Sequence, residues 1–330
     1  MSAGRLFLVL GACAAAGWAQ SPAGVAGPVT GFIFDAPAGA IRPMLGIPGA
    51  AYLGGLMATG LGKASVSPDG SAALAVQPGG KLVLYTGLRS AALVPVSVSG
   101  SLAGADRFAW AADSSSAAVY SSETGQAQIV TGVAKSPAGG PPIDLSGLPG
   151  RVTALAFDGT RVIVGVSGDS GGVFRTGGGS AVERIATAAS PSAIAVAGSN
   201  LYFTDNQAQQ IWQVESYAGT PAAVLFASDS SINSPAGMQV SSDGLRLYVA
   251  NAGSRKLTVY DVASRTVAQS LDLACTPTRL DRFGDARVFL LNDSGNGPLY
   301  VARDGGPGKA AVYFVPAPVR RPAKAPIHPA

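Results

Sequence analysis

Few side chains in this sequence could do chemistry, and the most suggestive is Ser170, set in Gly168-Asp169-Ser170-Gly171-Gly172. Glycines flank it as they would flank an acyl-transfer nucleophile, but a serine hydroxyl needs a base within hydrogen-bonding reach before it can attack. The chain holds one histidine, His328, inside a proline-rich segment. The string therefore reads as a turn between two strands, where glycines belong. The same count removes a histidine-based zinc site, a histidine general base and a haem ligand from the body of the chain. Gly177-Gly178-Gly179-Ser180 is followed by no Lys-Ser/Thr pair, so it does not read as a phosphate loop. Asp293-Ser294-Gly295-Asn296-Gly297 lacks the distal glutamate of a calcium loop. These absences predict no catalytic residue, no metal site and no cofactor.

What remains is a set of polar residues that end short apolar runs: Asp205 and Asn206, Asn251, and Asn292 with Asp293. If those runs are equivalent strands, the five residues share one face of the molecule and are its candidate binding residues. Asn and Asp are also the commonest turn formers, so a turn role stands beside the binding role.

The elements that must position them are short. Apolar runs of four to seven residues are separated by Gly, Ser, Asp and Asn, with almost no helical spacing, which predicts an all-β chain. The runs recur in a fixed order, most clearly as Gly237-Met238-Gln239-Val240, a turn at Ser241-Ser242-Asp243-Gly244, Leu247 to Asn251, Leu257 to Asp261, and Val267 to Leu273. Equivalent turn positions fall at 69, 113, 158, 198, 243 and 284, spaced 44, 45, 40, 45 and 41 apart. A period of this length with four strands per unit predicts the four-stranded antiparallel blades of a β-propeller. One such sheet has two apolar faces and cannot bury both alone; blades set radially bury each face on a neighbour. Six units precede Pro316, and a further strand pair, Val29 to Asp35 and Ala40 to Leu45, implies a partial seventh blade. Seven blades are favoured, with six plus an N-terminal strand pair as the alternative.

The residues Leu247-Tyr248-Val249-Ala250-Asn251-Ala252-Gly253-Ser254 through Val259-Tyr260-Asp261 resemble the repeat of YVTN-type propellers and, more loosely, NHL repeats, within the lactonase-like propeller superfamily. The resemblance implies the fold more than an activity, because such repeats occur in lactonases, surface proteins and interaction modules. Gluconolactonase and regucalcin-like propellers hold a metal with an Asn at the start of an inner strand and an Asp after the second strand. This chain has Ala236 and Asn251 at those places in its best-matching unit, and Ser192 and Asp205 in the preceding one. Only Glu123, Glu183 and Glu215 could add glutamate oxygens, and none lies in the N-terminal strand where that family places its acidic ligand.

Arg5 precedes the apolar run Leu6 to Ala16, too short to span a bilayer, and Gly17-Trp18-Ala19 offers a cleavage site before Gln20. Residues 1–19 are expected to be a signal peptide cut after Ala19, 20–316 the propeller, and 317–330 a basic, proline-rich tail. The chain is thus expected to be exported, periplasmic or extracellular. Leu10-Gly11-Ala12-Cys13 also resembles a lipobox, which would make Cys13 a lipid anchor. Cys13 and Cys275 are the two cysteines, so no disulfide framework is expected in the mature domain; Cys275 reads as a small apolar residue. Of 23 basic residues, Arg5, Arg320, Arg321 and Lys324 lie in the two terminal segments, leaving 19 against 19 acidic ones. A neutral body without a basic stripe excludes nucleic-acid binding, and no later segment reads as transmembrane. The function expected from the sequence is a non-catalytic, monomeric binding or scaffolding module for a protein or glycan ligand. The alternative is a lactonase-like hydrolase with its site at the central channel.

Overall fold

The computed structural model describes residues 27–90, 92–176, 181–295 and 297–317; the signal segment with Cys13 and Ala19, Gly177–Ser180, Asn296 and all but the first residue of the 317–330 tail, His328 included, lie outside them. Within the described residues, seven antiparallel sheets follow one another along the chain, each wound from the axis outward. The molecule is a seven-bladed propeller.

Blade 2 shows the pattern: Lys63–Val66, Ala72–Val76, Leu82–Thr86 and Val94–Ser97 pair in chain order. Blade 3 begins with Arg107–Trp110, Ala117–Ser121 and Gln126–Thr131, and its outer edge is shared by two short strands, Ala138–Gly139 and Ile143–Asp144. Blades 4, 5 and 6 open with the inner strands Arg151–Phe157, Pro191–Ala197 and Pro235–Val240, and blade 7 with Asp281–Arg282. Blade 1 contributes three strands among the described residues, Val29–Asp35, Ala40–Ile47 and Ala50–Leu53.

Radial stacking explains the burial. The second strand of blade 2, Ala72–Val76, is buried at all five positions, and that of blade 6, Arg246–Asn251, at all six. A strand buried on both faces reads as a continuous apolar run. The tight turns carry the geometry that the Asp-Gly pairs predict: Gly70 and Gly244 take φ of 70° and 75°, a left-handed conformation that costs glycine little. In both turns a serine and the aspartate close a side-chain ring, with Ser67 Oγ donating to Asp69 Oδ1 and Ser241 Oγ to Asp243 Oδ1, each at 2.6 Å.

Inner strands crowd near the axis. A Cβ placed on Gly237 would lie 2.2 Å from the backbone nitrogen of Leu280 in the connection to blade 7. Gly237→Ala is therefore expected to destabilise the fold by about 1–3 kcal/mol through overpacking, read as a lower urea midpoint at unchanged slope; an unchanged midpoint would mean that this blade contact is loose.

Blades 7 and 1 close the ring by packing. Ile33 and Met44 of blade 1 share a buried cluster with Phe283, Leu290, Leu299 and Val301 of blade 7. Ser294 Oγ donates to Phe34 O at 2.8 Å and accepts from Ala36 N at 3.2 Å, while Arg89 of blade 2 reaches Gly284 O at 3.0 Å.

Three carboxylates join neighbouring elements. Burial raises the pKa of each of Asp69, Asp158 and Asp304, but hydrogen bonds outweigh it. The donors are Ser67 and Ser71 for Asp69; the Arg161 and Thr160 amides and the Tyr217 hydroxyl for Asp158; and the Gly306 amide with Arg246 for Asp304. All three end below the ordinary carboxylate range. A folded pKa below the unfolded one gives stability that is present above the unfolded value and lost as pH falls through the folded one. Unfolding free energy is expected to be flat between about pH 5 and 7 and to fall below about pH 4; urea titrations at pH 7, 5, 4 and 3 check this, and a flat profile to pH 3 would contradict it.

No helix among the described residues is long and apolar enough to cross a membrane. Cys275 is half-buried beside Leu273 and Leu280, and burial pushes its thiol pKa up, which fits an apolar packing residue.

Candidate functional site

Each inner strand begins on the same end of the propeller, and the turns between second and third strands lie there too. Five residues expected from the sequence to bind ligand sit at this end, on blades 5, 6 and 7. Asp205 is buried, and its carboxylate accepts the amides of Ala189 at 2.9 Å, Ser190 at 3.1 Å and Gln207 at 3.1 Å. Asn251 is fully buried: Oδ1 accepts from Asn233 N at 3.1 Å, and Nδ2 donates to Thr258 Oγ1 at 3.2 Å. Asn292 spans its own loop, from Pro298 O to Tyr300 N. Asp293 accepts from Arg279 Nη1 at 2.7 Å and Thr278 Oγ1 at 2.8 Å. Asn206 donates its amide to Ser190 O, and its side-chain Oδ1 is buried without a hydrogen-bond partner. Asp205, Asn251 and Asp293 thus tie incoming connections to turns, Asn292 braces its own loop, and none of the five lines the cavity between blades 3 and 4.

Other sequence candidates take simple places. Gly168 to Gly171 close a turn between the second and third strands of blade 4, with Gly171 N donating to Gly168 O at 2.8 Å. Ser294 joins blade 7 to blade 1. Ser192 donates to Pro235 O at 2.8 Å. Among the described residues no three His, Cys, Asp or Glu side chains gather into a metal-binding group. With Ala236 and Asn251, and Ser192 and Asp205, at the places where those lactonase propellers hold their metal, no chemical step is routed through a cation.

The polar cavity at this end lies between blades 3 and 4. It measures about 430 Å³ and is lined by Asp106, Arg107, Tyr120, Ser122, Ser146 and Arg151, with glycine and apolar residues between them. That volume suits a small ligand. Arg107 and Arg151 are the first residues of adjacent inner strands, and both line this cavity. None of the nine ion pairs among the described residues includes either one. Arg107 is anchored by Nη1 donating to Thr153 O at 3.1 Å. Asp106 is held by the Ser122 amide at 3.3 Å and by its hydroxyl. Tyr120 is 7% exposed; burial and then the Asp106 charge raise its pKa, so the phenol stays protonated and can donate. Two cations against one carboxylate leave a net positive site for an anionic ligand.

Sequence reasoning missed these residues because they sit in no motif and lie 44 positions apart from Arg107 to Arg151. The one available signal was that both arginines fall just before the first apolar run of a repeat.

A protein from Lactobacillus plantarum superposes with a TM-score of 0.64 at 15% identity, covering 88% of this chain and 96% of that one. A protein of Bacteroides fragilis provisionally named a 6-phosphogluconolactonase superposes at 0.60 and 10% identity, covering 88% and 94%. Hsv2 of Kluyveromyces lactis gives 0.51 at 14% identity over 73% of each chain. No protein-family model matches the sequence, and no curated protein does. At such low identities the likeness establishes the propeller fold.

The non-catalytic binding or scaffolding role expected from the sequence is corrected at this point. One neighbour in fold, the Bacteroides fragilis protein, is named for a lactonase activity, and this chain carries a polar cavity with a carboxylate, a phenol and two guanidinium groups. The expectation failed because it counted histidines and metal ligands, and this cavity uses neither.

Proposed function

We propose that the protein is a lactonase-like hydrolase that acts on a small lactone bearing an anionic group, in the cavity between blades 3 and 4. The observation that carries it is the pair of guanidinium groups outside any ion pair, facing one carboxylate and one buried phenol in a single 430 Å³ cavity. Arg151, exposed at the rim, holds the anionic group of the substrate. Asp106 accepts a proton from water as its oxygen attacks the lactone carbonyl. Arg107, fixed by its bond to Thr153 O, faces the oxyanion that develops on the carbonyl oxygen. The ring C–O bond then breaks, and the Tyr120 phenol protonates the departing alkoxide. The Asp106 proton returns to Tyr120 through water, which restores both groups, and the carboxylic acid product releases its own proton to solvent, so that one water is consumed per ring opened.

The test is proton release at constant pH from neutral, carboxylated and phosphorylated δ- and γ-lactones. Faster opening of the anionic members supports the reading, and rates equal to buffer for every lactone would end it. We further place the protein outside the cytoplasm, on the strength of the apolar segment after Arg5 and the small residues before Gln20.

A further inference from the structure

Arg107 is held by a bond outside its own blade, to a residue that interrupts the strand pairing of the next one. Its strand pairs without a break from Arg107↔Tyr120 to Trp110↔Ala117, so the backbone of blade 3 brings Arg107 to the cavity but leaves its long side chain several rotamers. The guanidinium is fixed by Thr153 O of blade 4, 3.1 Å from Nη1. In blade 4 Val152 pairs with Val166 and Ala154 with Gly165, which makes Thr153 the extra residue of a β-bulge. A bulged residue stands outside the ladder, so the ladder alone does not set the direction of its carbonyl. Its side chain supplies the missing constraint. Thr153 Oγ1 lies within reach of Pro191 O on the inner strand of blade 5 and, at 3.1 Å, of Gly165 O on the second strand of blade 4. A hydroxyl has one proton to donate, and either acceptor is anchored: Pro191 is buried, and Val162–Ser167 is buried at all but its last position.

We infer that Thr153 is a positioning residue: its hydroxyl fixes the bulge, and its carbonyl oxygen thereby holds the Arg107 guanidinium in the cavity between blades 3 and 4. The choice of partner matters electrically. A carbonyl is neutral, so it orients the guanidinium without cancelling its charge and leaves the other N–H groups to a ligand. A carboxylate in its place would orient Arg107 equally well and neutralise it. Donors set before charge develops are the ones that stabilise it most. The tether has a counterpart one blade further on, which provides a control. There the pairing shifts between Pro191 and Ile194, and Ser192 Oγ lies 2.8 Å from Pro235 O and 2.8 Å from Thr204 Oγ1, neither of which lines the cavity. Ser192 thus makes the same kind of bond between inner strands, and its bonds reach no cavity group. The kinetic consequence rests on the proposed hydrolysis; the orientation of Arg107 does not.

The experiment compares the parent with Thr153→Val, Thr153→Ser and Ser192→Ala by two readouts. The first is NMR relaxation of the Arg107 Nε–H group, assigned by its loss in Arg107→Lys. Its order parameter is expected to fall below about 0.6 in Thr153→Val, the range of flexible groups, and to keep the parent's value in Thr153→Ser and Ser192→Ala. The second is the opening of an anionic lactone: kcat is expected to fall about 10- to 100-fold in Thr153→Val at unchanged KM, and to return in Thr153→Ser. If Thr153→Val does not fold, Thr153→Ala takes its place. Arg107 equally ordered in every variant would overturn the inference, whether or not any lactone opens. So would equal loosening in Ser192→Ala, which would make both tethers general packing contacts. A parent that opens no lactone, with Arg107 loosened in Thr153→Val alone, would end the proposed hydrolysis and uphold the positioning of Arg107.

Discussion

Replacing Asp304 by alanine is expected to lower the unfolding free energy by about 3–5 kcal/mol, because it strands a buried guanidinium. Arg246 and Asp304 are 8% and 2% exposed in their side chains and meet at 3.0 Å across the boundary between blades 6 and 7. Burial opposes the charge on Arg246, yet Asp304 and Asp243 hold its guanidinium well above the ordinary range, so it cannot escape by losing its proton. In the variant its remaining carboxylate is Asp243, whose side chain is 43% exposed and screened by water. A fall in Tm on the order of 10 °C is expected. Adding Arg246→Leu to Asp304→Ala should recover much of the loss, because the buried charge is then gone as well. A single variant as stable as the parent would show that the pair contributes nothing to the blade boundary.

Asp106→Asn is expected to reduce kcat/KM for an anionic lactone by about 100- to 10,000-fold while leaving Tm near that of the parent. The amide still accepts a hydrogen bond from Ser122, so the loop keeps its anchor; what disappears is the capacity to take a proton from water. The loss should fall on kcat. Arg151→Ala, by contrast, removes a rim cation that recognises the substrate charge, and its loss should fall mainly on KM. The two variants together separate a catalytic carboxylate from a merely structural one. If Asp106→Asn were fully active, the base would have to lie elsewhere in the cavity or the reaction would not occur there.

The repeat determined most of what can be read from this sequence. Turn residues every 40 to 45 positions and runs too apolar to face water on either side leave radial stacking as the way to bury them, so a propeller of about seven blades followed from local chemistry. Even the partial first blade was legible, because Val29 to Asp35 has the same apolar run and acidic end as Asn200 to Asp205. The polar ends of second strands were visible for the same reason. Their work was not: Asp205 and Asn251 looked like a surface row, and only the packed structure shows their oxygens turned inward onto backbone amides. The cavity was invisible for a different reason. Arg107 and Arg151 are 44 residues apart, and nothing in either segment refers to the other. They become neighbours because two blades stand side by side around an axis, and Asp106 and Tyr120 face them because the strand pairing within blade 3 sets Arg107 against Tyr120. Periodicity along the chain fixes what each blade is. Only the closing of the ring decides which side chains from different blades share a cavity, because that depends on the angle and contact between sheets, which no local pattern encodes.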